Sequence, residues 1–335
     1  MIKVGLVGFG LSGRHLQAPF FLTHPEFELR SIVTSQELPQ PRFQGVQRLS
    51  QWEELLSDPE IDLVSICSPS STHKEYAIKA LRAGKHVLVE KPVAANPADV
   101  EEMFETAKKC GKVLSVFHNR RFDSDFLTVK KVIESGILGD ILSYEAHFDR
   151  YKPELNPKAW KEAPDPTNGI LYDLGAHLVD QAIVLFGSPD RFSGSVYTQR
   201  MNSTVDDAFH LNLQMGKVQV FLRSSLLVKD QGPKYIIHGS KGSFTKYGMD
   251  VQEDHLVKGL LPVESEFGFE PKENRAYLRT QVHGLEIDGR VDTERGGWFN
   301  FFSALAASIT GQAEPLIKFE QMHKQLEILN AVKNV

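Results

Sequence analysis

The apolar run His86-Val87-Leu88-Val89 ends in Glu90-Lys91-Pro92. A lysine at the end of a buried strand can donate to a substrate oxygen, or accept its proton if its pKa is depressed. Pro92 fixes the chain direction there, and the Lys91–Pro92 bond is a candidate for the cis form. The competing reading is a solvated surface ion pair, which is what most Glu-Lys pairs are. Asp173 and His177 lie four residues apart in Leu171-Tyr172-Asp173-Leu174-Gly175-Ala176-His177. On a helix they share one face, continued by Gln181, while Leu174, Leu178, Ile183 and Leu185 cover the others. A polar stripe on an apolar helix must pair or line a cleft. Asp173 can orient and charge-stabilise His177, which can bind or shuttle the proton of a substrate hydroxyl. As a metal site the pair lacks a second cluster of matching spacing, so no metal is expected. His118-Asn119-Arg120-Arg121-Phe122-Asp123 offers amide and guanidinium groups suited to a polyhydroxylated substrate or a carboxamide. An interdomain set of salt bridges is the alternative for Arg120 and Arg121.

A fourth stretch lies near the start: Gly8-Phe9-Gly10-Leu11-Ser12-Gly13. The motif is weak alone, but a strand-like run precedes it and a helix-like segment follows. Gly8 permits the tight turn, Gly10 lets backbone approach a pyrophosphate, and Gly13 allows close helix–strand packing. The diphosphate then sits at a helix N-terminus. The tip of the second strand selects the cofactor. It reads Thr34-Ser35-Gln36, with no carboxylate to take a ribose 2′-hydroxyl. Hydroxyls at Thr34 and Ser35 favour NADP. No arginine follows directly and Glu37 is close by, so NAD stays open.

The elements that must position these residues follow from periodicity. Strand-like runs fall at 2–7, 27–33, 61–67, 86–89 and 113–117, with helix-like segments at 12–23, 52–57, 72–83 and 97–110 between them. Asn96 before Pro97 is a helix start, and Gly84 and Gly111 are helix stops. Buried strands alternating with helices predict a parallel sheet covered on both faces. After residue 120 the pattern changes. A helix at 125–135, a strand at 141–151, a proline-rich loop at 152–168 and a long helix at 170–186 come first. Strand-like runs then succeed one another at 191–199, 208–214, 218–228, 235–238, 243–247 and 277–282, which predicts an antiparallel sheet. Helices at 298–309 and 319–332 follow. The predicted fold is α/β: a Rossmann domain at 1–119, then an α+β domain with a large, open, mostly antiparallel sheet at 120–335. The C-terminal helices are candidates to pack back on the first domain.

At 335 residues the chain is long enough for two domains and a large core. Its 41% hydrophobic and 24% charged residues are ordinary for a globular protein. A net charge of −5 argues against an electrostatic nucleic-acid binder or a polybasic membrane patch. Cys67 and Cys110 read as reduced thiols. No signal peptide or apolar span of the ~18 residues that cross a membrane is evident, so a cytoplasmic protein is expected. The sequon Asn202-Ser203-Thr204 is then read as chance.

Taken together, the glycine motif, Ser68-Pro69 with His73, Glu90-Lys91-Pro92 and Asp173-x-x-x-His177 resemble the Gfo/Idh/MocA oxidoreductases (glucose–fructose oxidoreductase / inositol dehydrogenase) over nearly the whole chain. Residues 116–128, 172–181 and 237–253 look most like the NADP-dependent scyllo-inositol dehydrogenases of that family. The resemblance implies an active site between the two domains and hydride transfer between a sugar or cyclitol carbon and nicotinamide. By position, Lys91 resembles the family's catalytic lysine, His177 its active-site histidine and Asp173 the adjoining carboxylate. Ser68, Pro69, His73 and Glu90 fall at cofactor-contacting positions. Trp160-Lys161 resembles a segment that reaches the cofactor from the second domain. The expected cofactor ligands are therefore Gly8 to Gly13, Thr34, Ser35, Ser68, Pro69, His73, Glu90, Lys91, Asn119 and Trp160. The expected substrate ligands are Lys91, His118, Asn119, Arg121, Asp173 and His177. A homodimer or homotetramer is implied as well. Three other classes stay open on such a scaffold: a reductase of a diketone, dihydrodiol or linear tetrapyrrole, a glycosidase with retained NAD, and a non-catalytic NAD(P)-binding regulator.

Overall fold

A computed structural model describes residues 1–334. The chain divides into two compact units, and the first division falls between Asn119 and Arg120.

The first unit holds Met1–Asn119 together with Gln252–Gly268 and Gly297–His323. Its sheet has six strands: β1 (Ile2–Val7), β2 (Phe27–Val33), β3 (Gln47–Leu49), β4 (Leu63–Ile66), β5 (His86–Val89) and β6 (Leu114–Val116). They run parallel in the order β3-β2-β1-β4-β5-β6. The order reverses between β1 and β4, and ligands of such sheets bind at the carboxyl ends beside that point. β4 is buried at every position, as helices on both faces require. The helix Pro97–Cys110 starts on the Asn96 side chain, which accepts from Asp99 N at 3.0 Å, and it stops at Gly111 with φ +64°. β3 escapes a periodicity reading because it is only three residues long.

The helix Trp298–Ile309 belongs to this unit for an aromatic reason. Phe302 stacks on Phe20 at 4.5 Å between centroids and meets Phe21 edge-on, while Phe301 meets Phe117 edge-on. Each such buried ring contributes about 1.5–3 kcal/mol of burial free energy. The short helix Gln252–Val257 and its following loop also join this unit; neither was signalled by periodicity.

The second unit holds 120–251, 269–296 and 324–334. Its sheet has eight strands: β7 (Ile141–His147), β8 (Arg191–Tyr197), β9 (Ala208–Met215), β10 (Val218–Ser225), β11 (Tyr235–Gly239), β12 (Gly242–Lys246), β13 (Ala276–Val282) and β14 (Leu285–Val291). The order is β14-β13-β12-β11-β7-β10-β9-β8. All neighbours are antiparallel except β7 and β10, so the sheet is mixed and mostly antiparallel. β10 and β13 alternate buried and exposed positions, which leaves one face of the sheet open. β14 is exposed or half-buried throughout and lacks the alternation that marks a strand in sequence.

The helix expected at 170–186 is two pieces. Leu171–Gly175 forms a wide, π-type turn, and an α-helix runs on through Ala176–Phe186. The wide turn interrupts the strict four-residue stripe that an α-helix would give Asp173, His177 and Gln181. The loop expected at 152–168 contains one helical turn, Ala159–Glu162. Among the described residues no helix is long and apolar enough to cross a membrane.

Candidate active site

The glycine loop turns out of β1 at the reversal point. Gly8 has φ +94°, and a Cβ there would lie 2.7 Å from the Cys67 carbonyl oxygen at the end of β4. A Cβ on Gly13 would be driven into the Gly8 carbonyl oxygen. Gly10 differs, because nothing lies within 4 Å of where its Cβ would stand. Two glycines thus serve the fold, and the third keeps a space open over bare backbone. That is the cradle a dinucleotide's diphosphate requires, so the residues present fit such a cofactor. Leu11 is exposed, Phe9 is buried against Phe43 at 5.2 Å, and Ser12 opens a wide turn, Ser12–Gln17, before the helix Ala18–Thr23.

The loop is tied to the end of β5. The Ser12 hydroxyl and the Gln17 amide both donate to Glu90 Oε1, the latter at 2.9 Å. Gln17 Oε1 accepts from Ser65 Oγ on β4 at 2.5 Å. The backbone N–H of Lys91 donates to Glu90 Oε2 at 3.1 Å. Glu90 is therefore a brace between the glycine loop and the turn that carries Lys91. That turn contains a cis Lys91–Pro92 bond. His73 holds it from the other side: its Nδ1 lies 2.9 Å from the Pro92 carbonyl and its Nε2 3.0 Å from the Ser68 carbonyl. Burial pushes the His73 pKa down, and the two carbonyls oppose that shift. A neutral ring donates to only one of them at a time. Ser68 also bonds Thr72 through its hydroxyl at 2.6 Å. So Ser12, Ser68, His73, Glu90 and Lys91 are brought together, with Pro69 leading the turn Ser70–Thr72. Gln17 and Ser65 join them without any sequence signal that marked them. Cys67 beside them is a free thiol whose pKa burial pushes up, with Glu90 adding to the shift.

At the tip of β2, Thr34 Oγ1 accepts from Gln36 N at 3.0 Å, and Ser35 is exposed. Glu37 lies 3.4 Å from Arg48 Nη1 on neighbouring β3. His118 and Asn119, at the end of the first unit, are both buried.

In the second unit, Arg121 meets Asp180 through two bonds, Nε to Oδ2 at 2.8 Å and Nη2 to Oδ1 at 2.6 Å. Both side chains are buried, and this bidentate form is the strong one. The guanidinium expected to grip substrate is engaged by Asp180, which ties Arg121 to the Ala176–Phe186 helix. Gln181 is likewise structural: its amide donates to the Arg120 carbonyl at 2.9 Å, and its Oε1 accepts from the Tyr235 hydroxyl at 3.0 Å. Arg120 reaches Asp123 at 3.1 Å, its guanidinium lying 5.0 Å from the Phe148 ring centroid. His177 is buried and Asp173 half-buried, on the wide turn and the helix it opens. Trp160 is 52% exposed on the helical turn Ala159–Glu162. Among the described residues no group of three His, Cys, Asp or Glu side chains is placed to hold a metal.

Two family models cover the chain. Residues 2–118 match the Gfo/Idh/MocA oxidoreductase family's NAD-binding Rossmann fold, and residues 130–334 match that family's C-terminal alpha/beta domain. The chain belongs to the Gfo/Idh/MocA oxidoreductase family. It is accordingly an NAD(P)-binding oxidoreductase. Among Gfo/Idh/MocA proteins it is similar to the scyllo-inositol 2-dehydrogenase (NADP(+)) IolW of Bacillus subtilis, with 37% identity over 98% of this chain and 92% of that one. It is also similar to the uncharacterized oxidoreductase YdgJ of Escherichia coli, with 36% identity over 98% of this chain and 94% of that one. The solved structure of the putative oxidoreductase yvaA from Bacillus subtilis superposes with a TM-score of 0.93, 36% identity, and coverage of 100% of this chain and 97% of that one.

Proposed function

We propose that the protein oxidises a secondary hydroxyl of a cyclitol or sugar, in an inositol dehydrogenase-like reaction with NADP+ preferred over NAD+. The observation that carries this reading is the Glu90 brace. Glu90 accepts from Ser12 of the glycine loop and from the backbone of Lys91, so it fixes the lysine's turn beside the cofactor cradle. Bound NAD(P)+ supplies the two-electron acceptor for the hydrogen on the carbinol carbon. The chain supplies the rest. Lys91 Nζ and the His177 ring are the two candidates to take the proton of the substrate hydroxyl. Asp173 offsets the positive charge that develops. His118 and Asn119 bind the polyol or the carboxamide, and Trp160 contacts the cofactor. Fixed positions and fixed charges provide most of the rate enhancement.

Three features support the NADP preference. Thr34 and Ser35 place hydroxyls at the β2 tip, where a carboxylate would repel a 2′-phosphate. Glu37, the nearby carboxylate in sequence, is drawn to Arg48. The similar IolW protein is described as NADP(+)-dependent. Steady-state rates of Lys91→Ala test the assignment of the lysine. A fall in kcat of at least ~10²-fold with cofactor affinity retained is expected. Near-normal turnover would remove Lys91 from the chemistry.

A further inference from the structure

The segment that carries Trp160 has no core of its own. Its large apolar residues Leu155 and Trp160 are 38% and 52% exposed. Hydrophobic burial therefore does little to place it, and polar bonds must do so. Asn168 Nδ2 donates to the Trp160 and Ala163 carbonyls at 2.7 and 3.0 Å, and several of the others converge on Arg200, whose side chain is almost fully buried. Arg200 Nη1 donates to the Glu154 carbonyl at 3.0 Å, and Nη2 donates to both Glu162 carboxylate oxygens at 3.2 and 3.1 Å. One guanidinium thus clips both ends of 154–162. Glu162 Oε1 also accepts from Asn156 N at 2.8 Å, which closes the segment on itself. Arg200 is fixed in turn by Asp207, whose Oδ2 accepts from Arg200 N at 2.8 Å and from Nε at 3.1 Å. Asp207 is fully buried.

The preceding residue holds a second segment. Asp206 O accepts from Ile170 N at 2.9 Å, and Asp206 Oδ2 accepts from Leu171 N at 2.8 Å. These bonds pin the start of the wide turn that carries Asp173. Asp206 Oδ1 accepts from Lys333, which also donates to the Asn168 carbonyl at 2.8 Å. Gly169 has φ +102°, and a Cβ there would collide with the Asp206 carboxylate. Two consecutive carboxylates at the entrance to β9 therefore hold two different functional segments.

We propose that Asp206 and Asp207, the latter through Arg200, are positioning residues. Asp207 and Arg200 set the Trp160 segment for cofactor contact, and Asp206 sets the turn bearing Asp173 and the helix bearing His177. This rests on the reading of Trp160, Asp173 and His177 given above. The test compares Arg200→Ala, Arg200→Lys, Trp160→Ala and the Arg200→Ala/Trp160→Ala double variant in the full-length protein. Glu162→Gln is added in case loss of Arg200, which strands a buried Asp207, blocks folding. The readouts are direct titration of NADP+ binding, KM against kcat, and amide exchange over 154–164. Arg200→Ala and Glu162→Gln should accelerate exchange there and raise the NADP+ Kd and KM as Trp160→Ala does. A displaced contact of this kind costs on the order of 10²-fold in kcat/KM. Lysine cannot span three acceptors and should not rescue. The double variant should bind no worse than the weaker single one. If Trp160→Ala weakens binding while Arg200→Ala and Glu162→Gln leave both binding and exchange unchanged, the clasp is wrong. If Trp160→Ala leaves binding unchanged, the reading of Trp160 fails and the positioning role of Arg200 and Asp207 fails with it, whatever the exchange data show about Arg200.

Discussion

Asp123 is a carboxyl with no solvent at all, and its charge is decided first by that burial and then by its neighbours. Burial, and then the nearby Asp250, push its pKa up from the usual carboxylate range to about 8, against the pull of Arg120 and Lys234. The unfolded chain releases this proton near 3.8 while the folded chain keeps it. The folded state thus binds more protons across that window, so this group's contribution to stability falls as pH rises from about 4 to about 8. The slope for one proton is ~1.4 kcal/mol per pH unit, and it flattens above the folded pKa. Urea denaturation at a series of pH values should show this decline. Asp123→Asn, which mimics the protonated form, should flatten it. An unchanged profile in that variant would assign the pH dependence to other groups. Sequence alone marks Asp123 only as the end of the 118–123 stretch. Its state depends on Asp250 and Lys234, more than a hundred residues away, and no local pattern reports such a meeting. Arg121 was legible as a cation worth noticing, but its partner Asp180, fifty-nine residues on, was not.

Two elements open in the same unusual way. The helix after the glycine loop and the helix bearing His177 both start with a wide turn, Ser12–Gln17 and Leu171–Gly175. Such turns are often found at functional sites, and here each carries residues assigned to ligand contact. The setting of the glycine loop was legible because it is local: three glycines, a strand before and a helix after. The split of the 170–186 helix was not, since apolar periodicity is nearly the same for an α-helix with or without one wide turn. The glycines also separate fold from function. Gly13→Ala drives a methyl into backbone at Gly8 and should lower the melting temperature sharply. Gly10→Ala enters open space, so it should leave melting of the ligand-free protein near normal while weakening dinucleotide binding. Thermal melts with and without NADP+ measure both effects. A Gly10→Ala protein still stabilised normally by NADP+ would mean that the cradle is elsewhere.

At the scale of the whole molecule, each unit has its own sheet and its own logic. The parallel sheet was legible because five of its six strands are short, mostly apolar runs with helix-like segments between them. The second sheet was legible as a succession of strands, but its order was not. β7 lies between β10 and β11, strands that come more than seventy residues later, and β14 carries no alternation. The membership of Trp298–Ile309 in the first unit is set by Phe20, Phe21 and Phe117, which lie far away in sequence. The proposed activity is NADP-dependent oxidation of a polyol hydroxyl. Its most direct test is the initial rate of nicotinamide reduction with NADP+ and with NAD+, across a panel of inositols and aldoses. Turnover of an inositol with NADP+ preferred is the predicted result. Tight NADP+ binding with no reduction by any polyol in the panel would contradict it.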